Sequence, residues 1–384
     1  VIDGEDYGVS PFVVPIRDQT GTILPGVRIE DCGEKQGLNG VDNGRIWFDQ
    51  LRIPMKNLLD RFAQVTENGQ YSSPIANPSK RFFTMLGTLV GGRIGIPWAG
   101  LSAAKTGLTI AIAYAHQRRQ FGMPGQREQL IIDYQSHQKR LMPLLANAYA
   151  LDFTLKYLTE RYLAQQPDEG REIEALAAGI KAYSTWNTTK TLQVCREACG
   201  GMGYLWENRL GELKADTEIF TTFEGDNTVL MQLVAKSRLA EFKQEFNDIK
   251  FIGLVKYITM QATTSITEKN PIIIRKTSED HILDQEFHLS AFSYRENHLL
   301  IRAGQRLKHR IDQGMNSFQA FNECQNHLIN LAHAYIEKII LEQFTQAVNL
   351  VEQQDLKAVL EKLRQLFALS LIDRHKGWYL ENGY

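Results

Sequence analysis

The chain has 384 residues, with 43 basic and 44 acidic side chains for a formal net charge of -1, so it lacks the global positive field on which nucleic-acid binding rests. Apolar residues make up 43% and charged residues 23%, the balance of a globular protein that buries its core without staples, and no stretch of about 18 residues is free enough of charge to read as a membrane span. Cys32, Cys195, Cys199 and Cys324 are scattered and form no CxxC pair, which argues against a disulfide framework or structural zinc and fits a reducing compartment.

Residues 1–78 read as β. Residues 12–16 form a short apolar run, 26–31 alternate, and 44–49 are again apolar, with turn chemistry at Asp18-Gln19-Thr20-Gly21 and Leu38-Asn39-Gly40. A small antiparallel sheet is expected, closed by Asn77-Pro78-Ser79. From Lys80 the period becomes helical. One long helix is expected over 80–119, broken or bent near Gly91-Gly92 and Pro97. A second, over 133–165, sets Leu141, Leu145, Ala148, Leu151, Leu155, Leu158 and Tyr162 on one stripe, with Pro143 as a kink. A third, over 171–199, ends at Gly200-Gly201, and a fourth starts at Asp226 or Asn227 and runs to about residue 247.

Helices this long suit an antiparallel bundle better than an α/β alternation. Three more, over 288–312, 317–353 and 356–374, follow a polar stretch at 263–270. Three domains result: 1–78, 79–247 and 248–384, mainly α with a small β domain. Both ends are expected to lie inside a longer chain. Val1 is not an initiator Met and no secretory signal opens the sequence, while residues 377–384 stay aromatic to the last position.

Two segments break local rules. In Tyr114-Ala115-His116-Gln117-Arg118-Arg119-Gln120-Phe121-Gly122, paired cations followed by an aromatic either answer a helix C-terminus or clamp a diphosphate beside a planar ring. The second is Cys199-Gly200-Gly201-Met202-Gly203-Tyr204, followed by Ile219 to Thr228. There Glu224 is either an acid favoured by the start of a helix or a partly buried general base for a carbon acid. The nine histidines show no HxxxH or HExxH, so no metal site is expected. GxSxG is missing, and the glycines at 200–203 follow a helix instead of a strand.

Together these segments resemble the acyl-CoA dehydrogenase and oxidase superfamily, leaning to acyl-CoA oxidases. The residues that carry the resemblance are Asp31 to Gly44, Arg52-Ile53-Pro54, Gly91-Gly92-Arg93, Arg118-Arg119-Gln120-Phe121-Gly122, Ala198 to Tyr204, and Thr222 to Leu230. Their order holds over at least 10–240. The helical region beyond 250 resembles the second α domain that oxidases carry and dehydrogenases lack.

The resemblance implies an acyl-CoA dehydrogenase-like fold with FAD between β domain and bundle, here a partial β domain, a long-helix bundle and a second helical domain. It implies that Glu224 is the base that removes the α-proton of a fatty acyl-CoA while the β-hydrogen leaves as hydride to the flavin, the enolate oxygen being held in an oxyanion-hole arrangement by the glutamate's own backbone N–H and the flavin. Arg118 and Gln120 would contact the FAD diphosphate of a neighbouring subunit, Phe121 would pack on the cofactor, and Gln135 would add a flavin contact. Glu197, where the family commonly has Gln, and Gly200 and Gly201 would approach the adenosine diphosphate portion across a dimer. Asp226 and Thr228 would add FAD contacts, and Arg93 and Gly225 would line the substrate site. The implied activity is desaturation to trans-2-enoyl-CoA with O2 as acceptor and H2O2 as product, in a homodimer with FAD near the subunit interface. A dehydrogenase reducing an electron-transfer flavoprotein and a non-catalytic helical scaffold remain the alternatives. The implied location is peroxisomal in a eukaryote or cytoplasmic in a bacterium, and not secreted.

Overall fold

Alternation over 26–31 and the apolar run at 44–49 generate β1 (Val27–Asp31) and β2 (Gly44–Phe48), an antiparallel pair with Val27 opposite Phe48 and Asp31 opposite Gly44. The computed structural model describes residues 1–2, 4–166, 169–247 and 278–384, which divide into two compact units, 1–91 and 92–384. Gly26 turns the chain into β1 with φ +82°, and a Cβ there would lie 2.6 Å from the Asp49 carbonyl oxygen. The Arg28 guanidinium lies 4.0 Å from the centre of the Trp47 ring, a cross-strand cation–π contact. β3 (Gln64–Val65) and β4 (Tyr71–Ser72) form a separate two-stranded sheet. Residues 12–16, expected as a strand, make only isolated bridges at their margins, Phe12 with Leu58 and Arg17 with Ile23. Pro11 and Pro15 have no N–H to give a ladder.

Asn77 caps α1 (Pro78–Leu86) by accepting from the Lys80 amide at 3.0 Å, with Pro78 in the first turn. Buried Arg81 donates to the carbonyls of Ile75 and Tyr7, tying α1 to the segments before it.

The expected 80–119 helix breaks earlier than its glycines and proline suggested. A 3-10 turn at Gly87–Leu89 separates α1 from α2 (Val90–Ala115), and Pro97 lies inside α2. The Ser184 hydroxyl donates to the Pro97 carbonyl at 3.4 Å. α2 ends at Ala115 because the chain folds back on itself. The Ile131 amide bonds the Arg118 carbonyl, and Gln120 and Phe121 pair with Gln129 through backbone bonds of 2.9 Å.

α3 (Gln135–Ala164) contains Pro143 and buries Leu141, Ala148, Leu151, Leu155 and Leu158 of the expected stripe, with Leu145 and Tyr162 half-buried at its margin. α4 (Gly170–Ala198) is the central rod, packed against α3, α5 (Leu210–Glu218), α6 (Asn227–Asn247) and a later helix, α9 (Ser317–Asn349). Every residue from Ala175 to Thr185 is buried, and a helix surrounded on all sides must be apolar or small all round. Gly179 allows the closest approach, since a Cβ there would lie 2.4 Å from Ile336 of α9.

α7 (Glu279–Leu283), α8 (Gln285–Asp312), α9, α10 (Gln354–Arg374) and α11 (Lys376–Glu381) follow. α9 packs on α3, α4 and α6, and α10 on α3, so these helices join the earlier bundle in one compact unit. The polar stretch at 263–270 and the expected boundary at 248 lie outside the described residues.

The joint between α8 and α9 is ionic at its centre. Arg295 Nη1 and the Glu337 carboxylate are 2.6 Å apart and both residues are buried, with His375 Nε2 3.4 Å away. Burial alone would raise the Glu337 carboxyl, but His375 and Arg295 outweigh it and hold it below the ordinary range. Glu337→Gln leaves Arg295 buried without its counter-charge and is expected to cost about 3–5 kcal/mol in urea unfolding at pH 7. Because the folded carboxyl is depressed, the contribution is present above the unfolded value and fades as pH falls through the folded one, so the gap between wild type and variant should narrow in acid.

Candidate active site

The segment Ile219–Thr221 forms a 3-10 turn, and the chain then enters α6 through Thr222 to Asp226. Two consecutive residues there are left-handed, Glu224 at φ +56° and Gly225 at φ +109°. For a residue with a side chain this costs roughly 1–3 kcal/mol and persists only where the surroundings impose it. Asp226 supplies part of that constraint by accepting from the amides of Thr228 at 2.9 Å and Val229 at 3.2 Å, an N-cap on α6.

Two cations supply the rest. Arg93 Nε of α2 donates to the Glu224 carbonyl at 3.2 Å, and Lys181 Nζ of α4 donates to the Gly225 carbonyl at 2.8 Å. Arg93 is in turn 3.5 Å from the Glu174 carboxylate. Lys181 also donates to Asn227 Oδ1 at 3.0 Å, and Asn227 Nδ2 binds Thr185 Oγ1 and the Ala182 carbonyl, stitching the first residue of α6 to α4.

The Glu224 side chain reaches back against α2. A Cβ on Gly92 would lie 2.5 Å from Glu224 Oε1 and 3.0 Å from Oε2, so the carboxylate occupies space that a larger residue would fill. Oε2 is buried and has no hydrogen-bond partner among the described residues. A buried, unpaired carboxylate oxygen is a costly arrangement and is uncommon away from sites of chemistry or ligand contact.

The other expected residues fall into two further groups. Arg118, Gln120 and Phe121 stand exposed on the fold-back after α2, where Phe121 is left-handed at φ +62° and 71% accessible. Tyr134 closes this loop by donating its hydroxyl to the Gln120 carbonyl, which brings Gln135, the first residue of α3, close to it along the chain. Glu197, Gly200 and Gly201 stand exposed at the end of α4, with Gly200 as the left-handed stop at φ +57° and open space where Cβ atoms of either glycine would be. Glu197 accepts from Gln193 at 2.6 Å and pairs with Arg140 at 3.2 Å, and these contacts hold its carboxyl below the ordinary range. Asp226 and Thr228 are exposed beside Glu224.

Sequence reasoning missed Lys181 and gave Asn227 only a capping role. The available signal was one cation in the otherwise uncharged run Ala175 to Trp186 of a helix buried on all sides. Burial pulls the Lys181 ammonium down to about 8, opposed by Asp226 and Glu224 and reinforced by Arg93. Among the described residues no group of three His, Cys, Asp or Glu side chains is placed to hold a metal, and no helix is long and apolar enough to cross a membrane.

The arrangement suits a large anionic cofactor with a flat ring. An exposed guanidinium and phenyl ring at 118–121, bare glycine backbone at 200–201 and a helix start at 226–228 are groups able to meet a diphosphate and a ring, and the unpaired Oε2 is able to accept a proton. Comparisons with known proteins agree. Residues 86–239 match the family model "Acyl-CoA oxidase, C-alpha1 domain" and residues 284–384 match "Acyl-CoA oxidase". Peroxisomal acyl-coenzyme A oxidase 2 of Arabidopsis thaliana is 45% identical over 99% of this chain and 55% of its own length. The crystal structure of acyl-CoA oxidase 3 from Yarrowia lipolytica superposes with a TM-score of 0.85 at 30% identity, over 100% of this chain and 56% of that one. Acyl-CoA oxidase-1 of Caenorhabditis elegans, complexed with FAD and ATP, gives 0.82 at 25% identity over 100% and 56%. The chain thus spans about half the length of the curated relatives it matches.

The Gly92 contact is testable in isolation. Gly92→Ala should leave unfolding within about 1 kcal/mol of wild type, since alanine favours a helix by roughly that amount, while a crystal structure of the variant shows the Glu224 carboxylate displaced. A carboxylate unmoved in that structure would show that the two groups do not compete for the space.

Proposed function

Because this chain belongs to the acyl-CoA oxidase family, we propose that it supplies the catalytic base and much of the flavin-facing bundle of an FAD-dependent enzyme that desaturates fatty acyl-CoA to trans-2-enoyl-CoA, with O2 as electron acceptor and H2O2 as product. One observation supports this above the rest: a buried carboxylate oxygen with no donor on it among the described residues, on a left-handed turn held by two cations.

The α C–H of a thioester is a weak acid, and its removal needs an acceptor already in place and not engaged elsewhere. Glu224 Oε2 meets that requirement, since taking a proton there breaks no existing hydrogen bond. Gly92 keeps the space around the carboxylate open enough for it to reach its position against α2. Arg93, by holding the Glu224 carbonyl, fixes the peptide that follows Glu224, and the Glu224 N–H that the resemblance assigns to the enolate oxygen lies in the preceding peptide of the same turn. When bound, FAD supplies the hydride acceptor for the β-carbon and is reoxidised by O2.

Arg118, Gln120, Glu197, Gly200 and Gly201 would hold the diphosphate and adenosine portion, with Phe121, Gln135, Asp226 and Thr228 nearer the ring and ribityl chain. Gly225 and Arg93 would line the substrate side. A carboxylate beside a diphosphate is unfavourable, and the Arg140 guanidinium on Glu197 offsets it. Exposed groups on the 118–121 loop suit a cofactor shared with a second subunit, so a homodimer is part of the proposal. A peroxisomal location follows from the relatives' names.

Glu224→Gln is the direct test. Turnover of acyl-CoA should fall by about 10²- to 10⁴-fold while the flavin spectrum of the purified holoenzyme is unchanged. Peroxide formation in air without any electron-transfer partner checks the acceptor, and acyl-CoA-dependent bleaching of the flavin with no peroxide on aeration would defeat the oxidase assignment.

A further inference from the structure

Lys181 is fully buried, yet among the described residues no carboxylate pairs with its ammonium. Its two hydrogen-bond acceptors, the Gly225 carbonyl at 2.8 Å and Asn227 Oδ1 at 3.0 Å, are neutral. Burying an ammonium costs several kcal/mol even after the protein relaxes, and a neutral donor would satisfy the same two acceptors at less cost. The rest of the helix around it, Ala175 to Ala182, is otherwise uncharged and small or aliphatic, so neither packing nor helix formation accounts for a lysine here.

What the ammonium does is hold one carbonyl of a strained turn. Arg93 grips the carbonyl of Glu224 and Lys181 grips the next, that of Gly225, and both residues are left-handed. In that conformation successive carbonyls turn inward toward α2 and α4, and a charge-assisted bond is roughly twice as strong as a neutral one. With both carbonyls held, the backbone of Glu224 cannot relax toward the right-handed helix that starts three residues later. Resting on the reading of Glu224 as the base, we propose that Lys181 is a positioning residue whose charged ammonium locks the Glu224–Gly225 turn and thereby aims the carboxylate at its substrate.

The charged groups facing Lys181 are Asp226 and Glu224 from the turn and Arg93 from α2, the last paired with Glu174 of α4. Burial, the larger effect, draws the ammonium down to about 8. Charge at this position is therefore present at neutral pH and lost in mild alkali. As pH rises through that value the bond to the Gly225 carbonyl weakens from charge-assisted to neutral, and the turn loosens.

The test uses the flavin-loaded holoenzyme. Lys181→Met should lower kcat by about 10- to 100-fold, the scale of a displacement of about 1 Å in a reacting group, with KM for acyl-CoA within about threefold and the flavin retained. Wild-type kcat should decline with an alkaline limb near pH 8. That limb should vanish in Lys181→Met, and in Lys181→Arg, whose guanidinium stays charged, it should move to higher pH with much of kcat recovered. A residue that merely supports the fold would lower the unfolding midpoint or flavin content and leave the limb in place, and that outcome overturns the proposal. So does a Met variant with wild-type kcat. If the Met variant fails to retain flavin, the wild-type profile alone still decides, since kcat flat from about pH 7 to about pH 10 is incompatible with a charge-dependent lock. Glu224→Gln run in parallel separates the two readings: an inactive Gln variant beside an unaffected Met variant removes the role of Lys181 and leaves the base assignment standing.

Discussion

Two consecutive carbonyls, those of Glu224 and Gly225, each accept a hydrogen bond from a cation on a different helix, Arg93 on α2 and Lys181 on α4. Everything else in the candidate site depends on this grip. Left-handed backbone at a glutamate is unfavourable, and without donors aimed at those carbonyls the chain would continue into α6 by the cheaper right-handed route. The grip also requires α2 and α4 to flank the turn, because one cation comes from each.

That closeness is written in small residues on α2. Gly92, Gly100 and Gly107 follow one another at intervals of about two turns, and each faces something a methyl group would strike. At Gly92 it is the Glu224 carboxylate, at Gly100 it is Thr188 Oγ1 at 2.9 Å, and at Gly107 it is Leu192 at 2.7 Å. Thr188 and Leu192 lie on α4, about two and three turns beyond Lys181, so the seam continues along the helix that carries that lysine. On the far side of α4, Gly179 admits Ile336 of α9. A helix of the region that matches the acyl-CoA oxidase model, α9, thus presses on the rod that carries Lys181, and the pair Arg295–Glu337 fixes α9 to α8 behind it.

Much of this was legible before any coordinates. Apolar periodicity located most of the long helices, since a stripe at i+3 and i+4 spacing has no other stable use. Gly200 as a left-handed stop and Asp226 as a cap follow from local chemistry, and Glu224 as the carboxylate of interest from the motif resemblance. What misled was punctuation. Gly91-Gly92 and Pro97 read as helix breakers, but Pro97 is absorbed inside α2 and Gly92 is there for the carboxylate it touches. Residues 12–16 have strand composition, yet flanking prolines deny them a ladder.

The sequence by itself determined the helical class, the places where helices begin and end within a few residues and the oxidase-type motifs that single out Glu224 as the candidate base, because these depend on periodicity, caps and short-range chemistry. Only the tertiary structure decided what surrounds that base. Lys181 is 43 residues from Glu224 along the chain and Arg93 is 131, and separations of that size carry no local signal. Whether a buried lysine meets a carboxylate, a carbonyl or nothing is set by how three helices pack, and the packing is settled by volumes distributed over the whole bundle, not by any one segment.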